Sequence, residues 1–477
     1  MDPEKLKRRQ SLKVITSEII MFLSVVVTVA VLALIVSGYW LNSNFEVERQ
    51  GMLQISSVPT GADVIIDGES SWLQKTNTSK VLSSGEHSVT LAKEGYDSWS
   101  KTINISEGLL YRLHYPRLFL KERELESVLD VNGSTMASIS PDHNSLLLLN
   151  NTTKWTLIEL NSENPTSKSL DVSALFPNAN IANGAEVGLL PTSITSINWS
   201  RDNNHALVQS GTDTTKEWIL LDIKNPLNSV NLSREFNYNF TKMQILNHNA
   251  SDILAVQDGN LYKIDIPRKQ ISTILVNDIT NYDHYGNEIV FVAANPDNSD
   301  ISDISQTEEN YYIGLLEVNS GKITTLKYIS SSAQVAISKF YDDKYITVVK
   351  DNIITVYKYN NFEEYSNFTL NFTPDAITVG HDGEFVVMSS GPQIATLDME
   401  ANEVREWSVD GSTYGWLDDN MIYSIKDGEL YVYDFDGLNR RALADNASSH
   451  FPVTISDNKW LYYFSDDYLV REWLSPR

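Results

Sequence analysis

Three hydrophobic patterns follow one another along the chain. From Ile19 to Trp40 the residues run apolar for 22 positions with no period and no charged side chain. From Gly51 to Leu118 apolar and polar positions alternate in short stretches broken by Gly and Pro, the period of half-buried strands. From about residue 119 to the C-terminus a unit of several strands recurs. These patterns predict a helix, a small all-β sandwich and a β-propeller.

A helix of 22 residues spans roughly 30 Å, the thickness of a hydrocarbon core, and satisfies its own backbone there, which a lone strand does not. Tyr39 and Trp40 end the run with the amphipathic rings that favour a membrane interface. Lys5, Lys7, Arg8, Arg9 and Lys13 precede it, so the N-terminus is expected in the cytoplasm and residues 41–477 outside. The run is longer than a signal-peptide core and leads into Gly38-Tyr39-Trp40 without a small-residue cleavage pattern, which favours an uncleaved anchor. Arg8-Arg9-Gln10-Ser11-Leu12-Lys13 is similar to a twin-arginine export signal, but an ordinary basic flank is the favoured reading.

The sandwich is read from Leu53-Gln54-Ile55-Ser56, Asp63 to Gly68, Ser88 to Leu91, a strand carrying Trp99, and Leu109 to Tyr115. Its spaced residues are Ser57, Pro59, Gly61, Ala62, Val64, Asp67, Gly68, Gly85, His87, Gly95 and Tyr96. This pattern resembles the PEGA domain family of bacterial and archaeal surface proteins. Thr60 replaces the family's Glu, and Lys75-Thr76-Asn77-Thr78 replaces its usual Gly-x-Thr-Pro turn. The resemblance implies a noncatalytic extracytoplasmic β module, and His87 is expected to be structural.

The recurring unit shows best in a strand that ends on an acidic residue followed by an apolar one. The copies end at Glu159-Leu160, Asp222-Ile223, Asp265-Ile266, Glu317-Val318, Lys358-Tyr359 (basic here), Asp398-Met399, Asp434-Phe435 and Glu472-Trp473. Each follows another strand behind a polar turn, such as Ser140-Pro-Asp-His-Asn144 or Arg201-Asp-Asn-Asn-His205. Four antiparallel strands per roughly 40 residues is the spacing of a propeller blade. Eight blades are expected, with seven as the alternative. The last copy ends almost at the C-terminus, so 125–131 is expected to supply its fourth strand and close the ring. The polar turns resemble those of the WD40-like (PD40-type) repeats of bacterial propellers, and the whole order resembles bacterial membrane-anchored surface proteins that join the two modules. The expected layout is 1–18 cytoplasmic, 19–40 transmembrane, 41–50 tether, 51–118 sandwich and 119–477 propeller.

Composition narrows the chemistry. The 477 residues contain no cysteine, so disulfides, thiolate metal sites and cysteine nucleophiles are excluded. A net charge of −25 disfavours nucleic acid as a partner. Sequons at Asn77, Asn104, Asn198, Asn367 and Asn371 occur in an Asn-rich chain, and on their own do not establish glycosylation. His143, His205, His248, His284 and His381 suggest a metal ring; the simpler reading puts each in a separate turn between the first two strands of its blade. Two insertions stand out: Asn161–Ser193, and the acidic 295–310 with Asp297, Asp300, Asp303, Glu308 and Glu309, whose spacing lacks that of a calcium loop. No catalytic, cofactor or metal-binding residue is assigned and no enzyme activity is expected. The expected function is display of the propeller at the cell surface for a protein or glycan partner, which its loops would bind. The alternatives are a subunit of an envelope assembly, or a glycan hydrolase or lyase using paired channel carboxylates.

Overall fold

A computed structural model of the chain describes residues 18–33, 39–41, 47–150, 154–175, 180–182, 185–187, 194–212, 215–295, 310–380 and 383–475. The chain forms two compact units, Met1–Glu122 and Arg123–Arg477.

In the first unit a helix covers residues 18–33 and is exposed on every side. Among the described residues no helix is long and apolar enough to cross a membrane. Residues 34–38 of the apolar run lie outside the described residues. The expected helix does not reach Trp40: Tyr39–Leu41 form strand β1, paired antiparallel with β2 (Val47–Ile55). The β-branched and aromatic residues here satisfy their backbone through a ladder, and the Arg49 guanidinium lies 5.1 Å from the Tyr39 ring centre. Of the expected tether 41–50, residues 41 and 47–50 are strand, and 42–46 lie outside the described residues.

The rest of this unit is a sandwich of two four-stranded sheets. One pairs β1, β2, β5 (Thr78–Ser83) and β8 (Leu110–Leu113); the other has the order β4 (Glu69–Lys75), β3 (Asp63–Ile66), β6 (Gly85–Ala92), β7 (Trp99–Ile105). Sequence reading passes over β4 and β5, whose polar residues carry little hydrophobic signal. Alternate residues of the strands face inward, so Leu53, Ile55, Val64, Val89, Leu91 and Trp99 are fully buried. Phe119, expected in the propeller, is buried in this unit, and its carbonyl accepts from the Asp97 amide at 2.8 Å.

The second unit holds, among the described residues, eight four-stranded antiparallel sheets. Strands are named A to D within each, in chain order. Blades 1 to 7 run from Ser134 to Asp171, Ile194 to Asn231, Lys242 to Ile271, Ile279 to Ile329, Gln334 to Thr369, Ala376 to Ser408 and Thr413 to Ala444. Blade 8 has three strands, Thr454–Ser456, Trp460–Ser465 and Tyr468–Trp473, and takes β9 (Leu125–Asp130) as its D strand. Apolar side chains interleave between successive blades. Trp155 and Leu170 of blade 1 pack with Val208 and Ile219 of blade 2, and Leu254 of blade 3 shares a core with Phe291 of blade 4. Blade 8 packs back on blade 1 through Trp460, Tyr462, Leu146 and Ile158. The sheets therefore form a closed ring, an eight-bladed propeller.

The recurring acidic residue has a local cause. It ends strand C in six blades, with Lys358 in its place in blade 5, and turns the chain into strand D. Asp222 Oδ1 accepts from the Asn225 amide at 2.8 Å, Asp265 Oδ1 from the Arg268 amide at 2.9 Å, and Asp398 Oδ1 from the Glu400 and Ala401 amides at 2.9 Å. The residue after strand C donates its amide to the turn between strands A and B, as in Leu160 to Asn144, Ile223 to Asn204 and Phe435 to Asn420, and in blade 5 to Lys344 at the start of strand B. In blade 8 the donor is Leu474, to Lys459 at 2.7 Å, so the eighth copy is shifted by one from the Glu472-Trp473 register expected. Part of the expected 161–193 insertion is strand D of blade 1, Thr166–Asp171. It is followed by a short hairpin, Asn180–Ala182 with Ala185–Val187.

Candidate functional site

The A strands stand innermost, and five of them enclose a cavity of about 880 Å³. They are Ile194–Trp199, Lys242–Ile245, Ile279–Tyr285, Gln334–Phe340 and Ala376–Val379, from blades 2 to 6. The cavity reaches the A–B turns, where Arg201, His248, Gly286 and Gly383 line it. Gly383 is required there: its φ is +80°, and a Cβ would sit 2.2 Å from the Lys339 carbonyl oxygen of blade 5.

Charge in the cavity runs against that of the chain. Its described lining carries Arg201, Lys242 and Lys339 against a single carboxylate, Asp283. Lys242 Nζ lies 4.2 Å from the Tyr282 ring centre. Burial holds this ammonium below the ordinary lysine value, although Asp283 pulls it up. Asp283 Oδ2 accepts from the Ile337 amide at 2.9 Å, and the neighbouring Asn281 Oδ1 accepts from the Val335 amide at 3.2 Å, so both side chains tie blade 4 to blade 5. Burial pushes the Asp283 carboxyl up, against the opposing pull of the Ile337 amide and the His284 and Lys242 charges. Burial pushes the His284 imidazole down despite Asp283. Three buried atoms of the lining have no hydrogen-bond partner among the described residues: Gln244 Oε1, Tyr282 Oη and His284 Nδ1. Buried polar atoms are nearly always partnered, so such a cluster marks a place for water or a ligand.

The histidines divide differently from the expectation of one per turn. His143 is in the A–B turn of blade 1, with Nδ1 2.6 Å from Thr454 Oγ1. His205 opens strand B of blade 2. His284 is inside strand A of blade 4 and lines the cavity, as does the turn residue His248. His381 and residues 296–309 of the acidic insertion lie outside the described residues. Sequence reading missed Lys242, Gln244 and Asp283. Their signal is a polar residue at every second position of the first strand of a blade, where a core-facing residue would be apolar.

In the sandwich, the Asp-Gly and Gly-x-His motifs meet at one latch. His87 is buried, its Nδ1 is 2.7 Å from Asp67 Oδ2, and its Nε2 is 2.9 Å from the Ser83 carbonyl. Asp67 Oδ1 accepts the Ser88 amide at 2.9 Å. The partners of His87 are protein groups, which explains the motif structurally.

Residues 50–116 match the PEGA domain family. No curated protein matches the chain. The solved structures similar to it include WD40 β-propellers. The C-terminal WD40 domain of Sif2 is 13% identical with a TM-score of 0.47, over 74% of this chain and 99% of that one. Kluyvelomyces marxianus Hsv2 is 11% identical with a TM-score of 0.41, over 64% and 92%. The Cps50 (Swd1) β-propeller domain of Myceliophteria thermophila is 11% identical with a TM-score of 0.40, over 74% and 100%.

Proposed function

We propose that this chain is a membrane-anchored, extracytoplasmic scaffold that presents its propeller to a protein or glycan partner. The observation that carries the binding role is the face of the propeller built from the A–B and C–D turns. Antiparallel strands put these turns at one end of every blade. Three large apolar side chains stand there in solvent: Leu227 at 91% exposure, Tyr341 at 57% and Leu438 at 47%. The cavity reaches the A–B turns at the same end. Exposed apolar side chains on the turns of a rigid ring suit an interaction surface.

Anchoring is supported by the helix at residues 18–33, whose apolar side chains, from Ile19 to Leu32, are about half exposed or more all round. A helix apolar on every side needs lipid or protein around it. The basic residues before it support a cytoplasmic N-terminus.

The binding role is tested by placing a photo-crosslinking amino acid at Leu227, Tyr341 or Leu438 of the full-length protein in its own cells. Ile353 and Tyr468, at the opposite ends of their blades, are the controls. A discrete adduct confined to the first three positions is expected. Equal or absent adducts at all five would overturn the assignment of this face.

A further inference from the structure

We propose that the propeller cavity binds a small polyhydroxylated anion, a sugar carrying one carboxylate or phosphate. The first argument is charge. Arg201, Lys242 and Lys339 face a single carboxylate inside a chain of net charge −25, so the wall is a basic island in an acidic protein. A concave wall focuses that field on whatever enters. Asp283 does not cancel it fully, because one carboxylate stands against three cationic side chains. The Lys242 ammonium forms no ion pair or hydrogen bond with any described residue, and its contact is the face of Tyr282. A half-buried ammonium with no direct hydrogen-bonding partner favours an incoming oxyanion.

The second argument is the set of unpartnered atoms. Gln244 Oε1 accepts only, Tyr282 Oη donates or accepts, and His284 Nδ1 takes either role with its tautomer. Tyr282 is 3% exposed, so bulk water does not serve its hydroxyl. A partner that both donates and accepts at several points answers this mixture, and sugar hydroxyls do so. Ordered water would satisfy the same three atoms but leave the excess positive charge unbalanced. Asn198, Asn281 and Gln334 add amides to the wall. The volume, about 880 Å³, lies within the range of small-molecule pockets and exceeds the need of a bare inorganic ion.

The site goes beyond the display reading and fails separately from it, since emptying the cavity leaves surface exposure of the propeller unchanged. The test is calorimetric titration of the full-length protein with glucuronate, glucose 6-phosphate, glucose, acetate and inorganic phosphate. At least one charged sugar is expected to bind about tenfold or more tighter than glucose, and about tenfold or more tighter than the bare anion carrying its charge. Which sugar binds distinguishes carboxylate from phosphate. Lys242→Met should weaken that binding about tenfold or more, and Lys242→Arg should retain most of it. Tyr282→Phe, which leaves the charges in place, should weaken the sugar and not the bare anion. Absence of binding by both charged sugars overturns the proposal, as does equal binding of glucose or of the bare anions. Unaltered binding in folded Lys242→Met also overturns it; should that variant fail to fold, unaltered binding in Tyr282→Phe does so.

Discussion

Replacing Arg471 by Met should open the seam of the propeller while leaving its other blades protected. Arg471 lies on strand C of blade 8, its side chain 3% exposed. Nε donates to Glu126 Oε2 of β9 at 3.0 Å, Nη1 to the Ser162 carbonyl at 3.2 Å, and Nη2 to the Glu163 carbonyl at 2.6 Å. One side chain thus joins the closing strand, the last blade and the first. Glu126 is 44% exposed, so its ion pair contributes less than about 1 kcal/mol. The two carbonyl bonds from a charged donor contribute about 1.5 kcal/mol each. Relief of the buried guanidinium's desolvation offsets part of that sum, while Met keeps the packing against Trp460 and Trp473. The seam should therefore lose about 2 to 3 kcal/mol, which raises its opening, and amide exchange there, about 30- to 140-fold. Exchange mass spectrometry of Leu125–Asp130 and Tyr468–Trp473 reads this directly, with Asp343–Lys350 in blade 5 as the internal reference. Unchanged seam protection, or an equal loss in blade 5, would refute the reasoning that Arg471 acts as a local clasp on a ring.

Gly314→Ala should destabilise the propeller by about 2 kcal/mol or more in denaturant titration, because the new Cβ would stand 2.2 Å from Phe291 Cζ inside a packed core; Gly314→Ala combined with Phe291→Leu should recover part of the loss. Protection of β6 should depend on pH through the latch. His87 is raised: burial works against its charged form, but its hydrogen bonds to Asp67 and the Ser83 carbonyl outweigh it. Asp67 is lowered, first by its hydrogen bond to His87 and then by that to the Ser88 amide. The His87 contribution is present in full below about pH 6.5 and lost as pH rises through the raised folded value. That of Asp67 is present above about pH 4 and lost as pH falls through the lowered one. Exchange protection, corrected for intrinsic rates, should thus be greatest between about pH 4 and 6.5, and His87→Gln should flatten the alkaline side. On the propeller side, Ser200→Ala should weaken the blade 2 turn by about 1 kcal/mol, since Ser200 Oγ joins Asp202 at 2.5 Å and accepts the His205 amide at 3.0 Å; urea titration measures it.

Much of the architecture was legible because each blade repeats the same local chemistry. The acidic residue that ends strand C and the apolar residue after it announce a turn and a buried anchor, and this module places a blade without any long-range information. The Asp-Gly and Gly-x-His motifs are similarly local in cause, although their meeting at the latch is not. What the sequence hid lies where local pattern and position disagree. Tyr39 and Trp40 continue an apolar run, yet pair with β2 because a neighbouring strand is available. The polar strands β4 and β5 have no hydrophobic period to show. Lys242 on one blade and Tyr282 and Asp283 on the next become one site only when the ring brings their A strands together, a relation set by closure rather than by spacing.

The claim that the propeller is presented outside the cytoplasm is tested most directly by labelling in intact cells. The chain has no cysteine, so single-cysteine variants give an unambiguous signal. Ser11→Cys reports on the basic N-terminus, and Ser320→Cys on an exposed turn of blade 4. With a membrane-impermeant maleimide on intact cells, the account predicts labelling at position 320 and none at position 11 until the membrane is permeabilised. Labelling at position 11 with protection at position 320, or protection of both until lysis, would contradict it.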